Sequence, residues 1–301
     1  MCPQRPHNEF FSSVLLSNTY QRKDVMMKKV TMCQLSREAK QPFPAVIACF
    51  ICTVMLSSLV SSIVFAQNLD PKKQATIDTY YKQAWEYLGQ MHKDVKNLDK
   101  AHALYQKALE IAPANATTYW KLAEISFKKA QETKDSGKAK KLFEQALAYA
   151  ETSAQNNPKS VEALYWVGTC QAKLAEMAGI FKAMGLVKQS KKNLAKSIEL
   201  EPANRFANLS RVILAVIYTE SPWPLRDLTE AQKLFDEAVK FDPNLTLASV
   251  KRAKLLIKNK EKSSAIKELN RCLNIKKPTY LWDAELYDWP EAKKILSEIN
   301  Q

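Results

Sequence analysis

Residue types that perform covalent or metal chemistry are few in this 301-residue chain and are poorly spaced for acting together. The three histidines are His7, His92 and His102, and the six cysteines are scattered. A zinc site needs three or four imidazole, thiolate or carboxylate ligands in one place. No third imidazole or thiol lies near His92 and His102, so the sequence predicts no metal site.

Nucleophilic catalysis is not favoured either. A Ser-His-Asp arrangement needs a histidine base next to a nucleophile, and past residue 66 both histidines fall in one short stretch. Residues 135–138, DSGK, have the ending of a phosphate-binding loop, but Glu132 stands where the first glycine is required. We interpret the carboxylates of Asp283 and Glu285 as part of a solvated loop. We therefore predict that the protein is not an enzyme and has no cofactor.

Residues 43–66, FPAVIACFICTVMLSSLVSSIVFA, carry no charge and follow a basic stretch. A basic segment, an apolar run and small residues at Val64 and Ala66 are typical of a secretory signal peptide. We predict signal cleavage after Ala66 and an exported or periplasmic protein. The alternative is an uncleaved membrane anchor, because 24 residues at about 1.5 Å each can span a bilayer. A third possibility is lipidation at Cys49.

The chain is accordingly divided into three parts. Residues 1–31 show no periodicity and are interpreted as a disordered or mis-annotated extension, with the true start at Met27 or Met32. Residues 32–66 form the signal peptide or anchor, and residues 67–301 form one repeat domain. Cys170 and Cys272 are the cysteines of that domain. They lie about three repeats apart, so we expect two buried thiols there and no disulfide.

Charge and glycine content narrow the class of fold. The formal charge of the chain is +14, but basic and acidic residues alternate in stretches such as KDVKNLDK. Alternation is typical of a solvated helix surface and argues against a nucleic-acid partner. The chain has only five glycines, too few for a doubly wound nucleotide-binding fold or a β-barrel with many tight turns.

Five prolines mark an internal repeat of about 40 residues. They are Pro113, Pro158, Pro202, Pro243 and Pro278, at spacings of 45, 44, 41 and 35. Each follows a similar helix end, as in KALEIAP and KSIELEP, and a proline placed there stops the helix before the next one begins.

The first repeat matches the tetratricopeptide (TPR) pattern at positions 4, 7, 8, 20, 24, 27 and 32 of a 34-residue frame. The residues at these positions are Trp85, Leu88, Gly89, Ala101, Tyr105, Ala108 and Pro113. A small residue at 8 allows the two helices of a pair, helix A and helix B, to cross closely, and small residues at 20 and 27 allow the next pair to pack against them. Four further repeats follow, with insertions in the second and third. We predict an all-α fold, a right-handed α-solenoid of about five helix pairs, closed by a C-terminal capping helix in PEAKKILSEI.

Residues 156–301 carry a more particular resemblance. In order they contain NPKSVEALYWVGTC, AGIFKAMGL, KNLAKSIELEPANR, YTESPWPLRDLTEAQKLFDEAVKFDPN and PTYLWDAELYDWPEAKKIL. This order resembles the T-component (TatT-like) family of TRAP transporters, which are periplasmic helical-repeat proteins associated with solute uptake. Eukaryotic regulators of microtubule dynamics share a similar repeat arrangement. Members of the T-component family often carry Gly-Gly-Asp before the fourth helix B, where this chain has Arg226-Asp227-Leu228.

The inner surface of a TPR stack is lined by positions 2, 5, 9 and 12 of helix A. In repeats two to four these positions are mostly apolar, although Glu124 is among them. The sequence thus predicts an apolar groove for a ligand or partner, unless the AGIFKAMGL insertion itself covers it. Trp223 is interpreted as a lid over the groove or a subunit contact. The predicted groove residues are Trp120, Phe127, Tyr165, Phe206, Leu209, Ile213, Val216 and Trp223.

The predicted function is that of an exported binding or scaffolding protein. The resemblance implies an accessory subunit of TRAP-type solute uptake, with a protein partner such as a periplasmic solute-binding protein, or a small solute, in the groove. A homo-oligomer is left open. The alternatives are an envelope-assembly adaptor that binds a partner peptide, and a scaffold for an enzyme complex.

Overall fold

The computed structural model describes residues 69–299, and its helices begin where the sequence supplies capping side chains. Asp70, Asn115, Asp135, Ser160 and Asp227 each accept a hydrogen bond from a backbone N–H in the first turn of the helix that follows. Such caps satisfy donors that have no partner inside the helix, and each contributes about 1 kcal/mol. These side chains therefore set where the helices start.

Ten helices make five antiparallel pairs in the described residues. They are α1 Pro71–Gly89, α2 Asn97–Ile111, α3 Ala116–Glu132, α4 Ser136–Asn156, α5 Val161–Glu176, α6 Ile180–Leu200, α7 Arg205–Glu220, α8 Leu228–Phe241, α9 Thr246–Lys258 and α10 Lys262–Leu273. The odd-numbered helices are helix A of each pair and the even-numbered ones helix B. A short helix α11, Leu281–Asp283, continues into a π-helical turn, Ala284–Asp288, and α12 is Trp289–Ile299.

The repeat prolines lie where the sequence predicts. Pro113, Pro158, Pro202 and Pro243 each stand two residues past the last residue of α2, α4, α6 and α8. The two insertions lengthen helices instead of forming loops, since α4 and α6 each have 21 residues. The described residues contain no β-strand. The prediction of an all-α solenoid of five helix pairs is confirmed.

Close crossing within a pair depends on small residues, as the repeat pattern predicts. The Ser190 hydroxyl donates to the backbone oxygen of Gly168 at 2.7 Å, which joins α6 to α5. A β-carbon added at Gly168 would lie 2.6 Å from Cγ of Leu194. Only glycine allows these two helices to approach so closely.

The chain from Asp70 onward is one compact unit with its own apolar core. The largest cluster of buried side chains runs through α3 to α9, a second joins α1, α2 and α3, and a third joins α9 and α10 to α12. Helix α12 covers the end of the stack with Ala292 and Ile295, so the capping helix is confirmed. No helix among residues 69–299 is long and apolar enough to cross a membrane.

Residues 1–66, with the predicted extension, signal peptide, cleavage site and lipidation site, lie outside the described residues.

Candidate partner-binding face

The inner face of the stack is the side formed by the A helices α1, α3, α5, α7 and α9. The A helices of neighbouring pairs from α3 to α9 contact one another directly, in addition to contacting their own B helices. Repeat solenoids use such a concave face for binding. It is therefore the first surface on which to place the predicted groove residues.

Four of the eight predicted groove residues come together on this face in a chain of aromatic rings. The Phe206 ring lies 5.3 Å from Trp120 and 5.5 Å from Tyr165, measured between ring centroids. The Phe127 ring lies 5.5 Å from Trp166, which in turn contacts Tyr165 at 4.9 Å. Rings at these separations and at steep angles attract one another beyond their burial. The aromatic chain thus ties α3, α5 and α7 together.

These side chains do not line an open trough. Trp120, Phe127, Tyr165, Phe206 and Leu209 are buried in the main core. Ile213 and Val216 are half-buried and pack against the same core. Their apolar surface packs against other side chains of the protein. The expectation of an exposed groove at these positions is therefore wrong. Ligand binding by these residues stays a prediction.

The cover over the inner face is not the AGIFKAMGL insertion. Ile180, Phe181 and Met184 of that insertion are exposed to solvent, and only Leu186 and Val187 pack against the core. Trp223 is 87% exposed and so does not form a lid. A subunit contact through Trp223 stays a prediction.

The cover is the chain's own C-terminal segment, residues 278–288. Trp282 is buried beside Ala84 and Leu88 of α1 and Ile125 of α3, far from it in sequence. Its ring meets the Trp85 ring edge-on, with centroids 5.3 Å apart. Gly89 faces the same indole, since a β-carbon there would lie 3.7 Å from it. The first two repeats thus provide a slot for one tryptophan.

Polar contacts hold the C-terminal segment on both sides of that slot. The Lys128 ammonium lies 2.5 Å from Oδ1 of Asp283, and the Tyr287 hydroxyl donates to Oε1 of Glu132 at 2.5 Å. At the other end of the segment the Thr246 hydroxyl of α9 donates to Oδ2 of Asp288 at 2.6 Å. The segment therefore bridges the second and fifth repeats.

The sequence suggested that Asp283 and Glu285 lie in a solvated loop, but both lie in helical turns, and Asp283 is half-buried. Asp283 is ion-paired with Lys128 inside the inner face. Glu285 lies 3.8 Å from Nε2 of His92, although it remains partly exposed. Their partners are more than 150 residues away in sequence, so no local pattern could reveal the pairing.

Further charged groups lie beneath the segment. Burial raises the pKa of Glu124, while the nearby Lys121, Lys128 and Arg205 oppose that rise. Burial likewise lowers the pKa of Lys121. The Lys121 ammonium lies 4.3 Å from the Trp120 ring, and the Arg205 guanidinium 4.7 Å from the Phe206 ring. Positive charges that lie over aromatic rings in a partly desolvated site favour the binding of aromatic and anionic groups of a partner.

Within residues 69–299 the cysteines and the candidate metal ligands are not arranged for nucleophilic or metal chemistry. Cys170 and Cys272 are free and buried, as predicted, and burial raises the pKa of both thiols. A buried, protonated thiol is a poor nucleophile. No group of three or more His, Cys, Asp or Glu residues within 69–299 could hold a metal ion. The arrangement is suited to binding.

Lys128, Arg205 and Trp282 belong to the site although the repeat pattern did not predict them, as does Tyr280, whose ring centroid lies 5.4 Å from that of Trp282. Glu124 carried a signal, because it occupies a helix A position that faces inward in the repeat frame. Arg205 starts α7, where a repeat pattern says little. For Trp282 and Tyr280 the only signal was an unusual density of aromatic and acidic residues after the last repeat.

A protein-family comparison supports the repeat arrangement. Residues 82–210 match the model of the family described as regulator of microtubule dynamics protein 1-3. The match runs from the middle of α1 into α7 and so includes the tryptophan slot and the aromatic chain. No curated protein matches the chain significantly.

Solved structures resemble the fold at low sequence identity. TTC0263, a thermophilic TPR protein of Thermus thermophilus, is 15% identical, with a TM-score of 0.55 over 73% of this chain and 99% of that one. PilF of Pseudomonas aeruginosa is 14% identical, with a TM-score of 0.47 over 76% and 88%. YrrB, a TPR protein described with an unusual peptide-binding site, is 18% identical, with a TM-score of 0.41 over 75% and 97%. The likeness to TTC0263 shows that the fold of this chain is similar to that of a TPR protein.

Proposed function

We propose that this protein is an interaction scaffold whose inner face binds an aromatic, acidic peptide segment of a partner protein. The observation that carries the proposal is that the inner face already holds such a segment, residues 278–288 of the same chain. Trp282 fills the slot formed by Trp85 and Gly89, and Asp283 pairs with Lys128. The partner segment would present a tryptophan followed by carboxylates.

The charges of the inner face support this choice of partner. Lys121, Lys128 and Arg205 lie on the face around Glu124, and Asp283 of the C-terminal segment pairs with Lys128. A charge-assisted contact to a carboxylate is about twice as strong as a neutral hydrogen bond. The buried indole would supply apolar contact area in the manner of an interface anchor.

The chain's own C-terminal segment occupies the surface that the partner peptide would bind. A tethered segment competes at an effective concentration of the order of millimolar, so a free peptide has to displace it. Weak binding to the wild-type protein and stronger binding to a variant with a loosened segment are therefore expected. The segment acts as an internal competitor.

The test uses the chain's own sequence as the probe. A labelled peptide of residues 279–289, TYLWDAELYDW, is titrated into the wild type and into Trp282→Ala/Asp283→Ala. The double variant should bind the peptide at least about tenfold more tightly, because its own segment has lost both anchors. Adding Lys128→Glu to that variant should remove the gain, and a scrambled peptide is the control for composition.

A folded double variant that does not bind the peptide, or binds the scrambled peptide equally, would overturn the proposal. Circular dichroism and thermal melting establish that the variant is folded.

We further propose that the scaffold works outside the cytoplasm, as an accessory to TRAP-type solute uptake. The support for this role is the apolar segment 43–66 and the resemblance of residues 156–301 to the T-component family. A gene for a solute-binding protein or permease next to this one would favour uptake, and a co-purifying envelope complex would favour an assembly adaptor. Finding the chain uncleaved in the cytosol would contradict both the uptake role and the assembly role.

A further inference from the structure

The first turns of α6 carry exposed apolar side chains. Farther along the helix Leu186 and Val187 pack against the core, and the Lys191 ammonium lies 4.0 Å from the Tyr218 ring of α7. Ile180, Phe181 and Met184, in the first two turns of α6, are 62%, 90% and 56% exposed. Their spacing places them within one third of the helix circumference. They form a compact apolar surface in solvent.

Trp223 lies at the same end of the stack. Helix α7 runs antiparallel to α6, so the loop that follows α7 is level with the beginning of α6. The Trp223 side chain is 87% exposed in that loop. We call Ile180, Phe181, Met184 and Trp223 the apolar tip. Large exposed apolar residues that lie singly are ordinary, but several at the same end of neighbouring helices mark an interaction surface.

Basic residues lie directly behind the apolar tip. From Ile180 to Ile198, α6 contains five lysines and no acidic residue before Glu199; the lysines are Lys182, Lys188, Lys191, Lys192 and Lys196. Lys188 follows Phe181 by seven residues, about 10 Å along the helix. Lys182, Lys188 and Lys192 are exposed. The N-terminus of α6 adds partial positive charge, and its N-cap, Gly179, offers no side chain to neutralise it.

We propose that the apolar tip docks on an anionic lipid surface. Phe181 and Trp223 enter the headgroup region, and Lys182 and Lys188, within about 10 Å of Phe181 along α6, lie against the lipid phosphates. An apolar end with lysines behind it is the composition of interfacial membrane anchors. Each lysine held near an anionic surface contributes to binding, and the contribution falls off within a Debye length of about 10 Å.

A second copy of this chain is a poorer occupant of the apolar tip. Two copies that met symmetrically through this surface would bring the lysines of both α6 helices face to face, which is unfavourable. The membrane proposal also stands apart from the proposed function, because the apolar tip shares no residue with the inner face. Its failure would leave the peptide-binding proposal intact.

The test measures binding to vesicles. The protein starting at Gln67 contains the whole compact unit and is used without the apolar segment 43–66, which would bind membranes by itself. It is sedimented with phosphatidylcholine vesicles, with and without phosphatidylglycerol. Binding is expected with phosphatidylglycerol and is expected to weaken as salt is raised.

The decisive variant is Phe181→Glu/Trp223→Glu. Its partition coefficient should fall at least about tenfold, because two large apolar groups no longer leave water. Phe241→Glu is the matched control, since Phe241 is also an exposed aromatic, at 44%, but lies at the end of α8 on the opposite edge of the stack. This control should bind as the wild type does.

Two results would overturn the proposal. One is no binding of the wild type to phosphatidylglycerol vesicles, and the other is equal binding by the wild type and the double variant. A mass in solution that falls from dimer to monomer in the double variant, with vesicle binding unchanged, would assign the apolar tip to a contact between copies instead.

Discussion

The inner face and the apolar tip have similar compositions, but the inner face is covered by the chain itself and the apolar tip is exposed to solvent. Both combine aromatic side chains with lysines, yet Trp282 of the inner face is buried and Trp223 of the tip is 87% exposed. The difference arises from what lies opposite each surface. The C-terminal segment reaches the inner face and pairs with its lysine, whereas no described element covers the tip. Composition alone therefore does not distinguish a surface that is covered by another part of the chain from one that is exposed and available to a partner.

The largest expected loss of stability comes from a substitution on the inner face. Trp282→Ala removes a buried indole from between α1 and α3, and truncating a buried Trp costs about 3–5 kcal/mol. Thermal or urea unfolding measures the loss. Trp223→Ala is the direct comparison and should change the free energy of unfolding by no more than about 0.5 kcal/mol. Equal losses would mean that the two surfaces do not differ as described.

Two glycines offer the next comparison. Gly168→Ala would place a methyl group 2.6 Å from Leu194 and 3.2 Å from the Ser190 backbone oxygen, and should destabilise the fold by about 1–3 kcal/mol. At Gly185, near the apolar tip, an added methyl group meets no atom within 4 Å. Gly185→Ala should stabilise α6 by up to about 1 kcal/mol. Urea unfolding of both variants should show opposite signs, and the same sign would contradict the packing.

The ion pair of the inner face is tested by a double-mutant cycle. Lys128→Met leaves Asp283 without its cation in a half-buried site, which should cost about 1–2 kcal/mol. Asp283→Asn should cost a similar amount, and the double variant less than the sum. Lys188→Met, on the exposed part of α6, serves as the control with little effect. Additive losses would indicate that Lys128 and Asp283 do not interact.

The last prediction is a pH dependence at Asp288. Burial raises the pKa of this carboxyl to about 7 in the folded protein, with the nearby Asp283 adding to the rise and Thr246, Lys251 and Lys128 opposing it. A raised pKa means that the folded state holds the proton more tightly than the unfolded state. The free energy of unfolding should therefore fall as pH increases from about 4 to about 7, by at most about 1.4 kcal/mol per pH unit.

Asp288→Asn removes this titration and keeps an acceptor for the Thr246 hydroxyl. The variant should show a flatter pH dependence than the wild type in urea unfolding across that range. Identical slopes would show that Asp288 is ionised in the folded protein.

The repeat pattern predicted most of the fold because its signals are local. Prolines two residues past the helix ends act within a few residues of the backbone that they shape. The small residues at the crossing of α5 and α6 follow the same frame. The candidate site was predicted in part. Trp120, Tyr165 and Phe206 do meet on one side of the stack, but as a packed ring chain and not as an open groove.

The sequence by itself determined where helices begin and end, how they pair, and which face of each A helix is apolar. The tertiary structure alone decided what covers that face. Trp282 meets Trp85, and Asp283 meets Lys128, across about 155 residues or more of chain. Contacts between residues so far apart in sequence depend on the total curvature of five successive helix pairs. A short periodic pattern in the sequence carries no information on that curvature. For the same reason the exposure of Phe181 became evident only once the ends of α5 and α7 were placed beside α6.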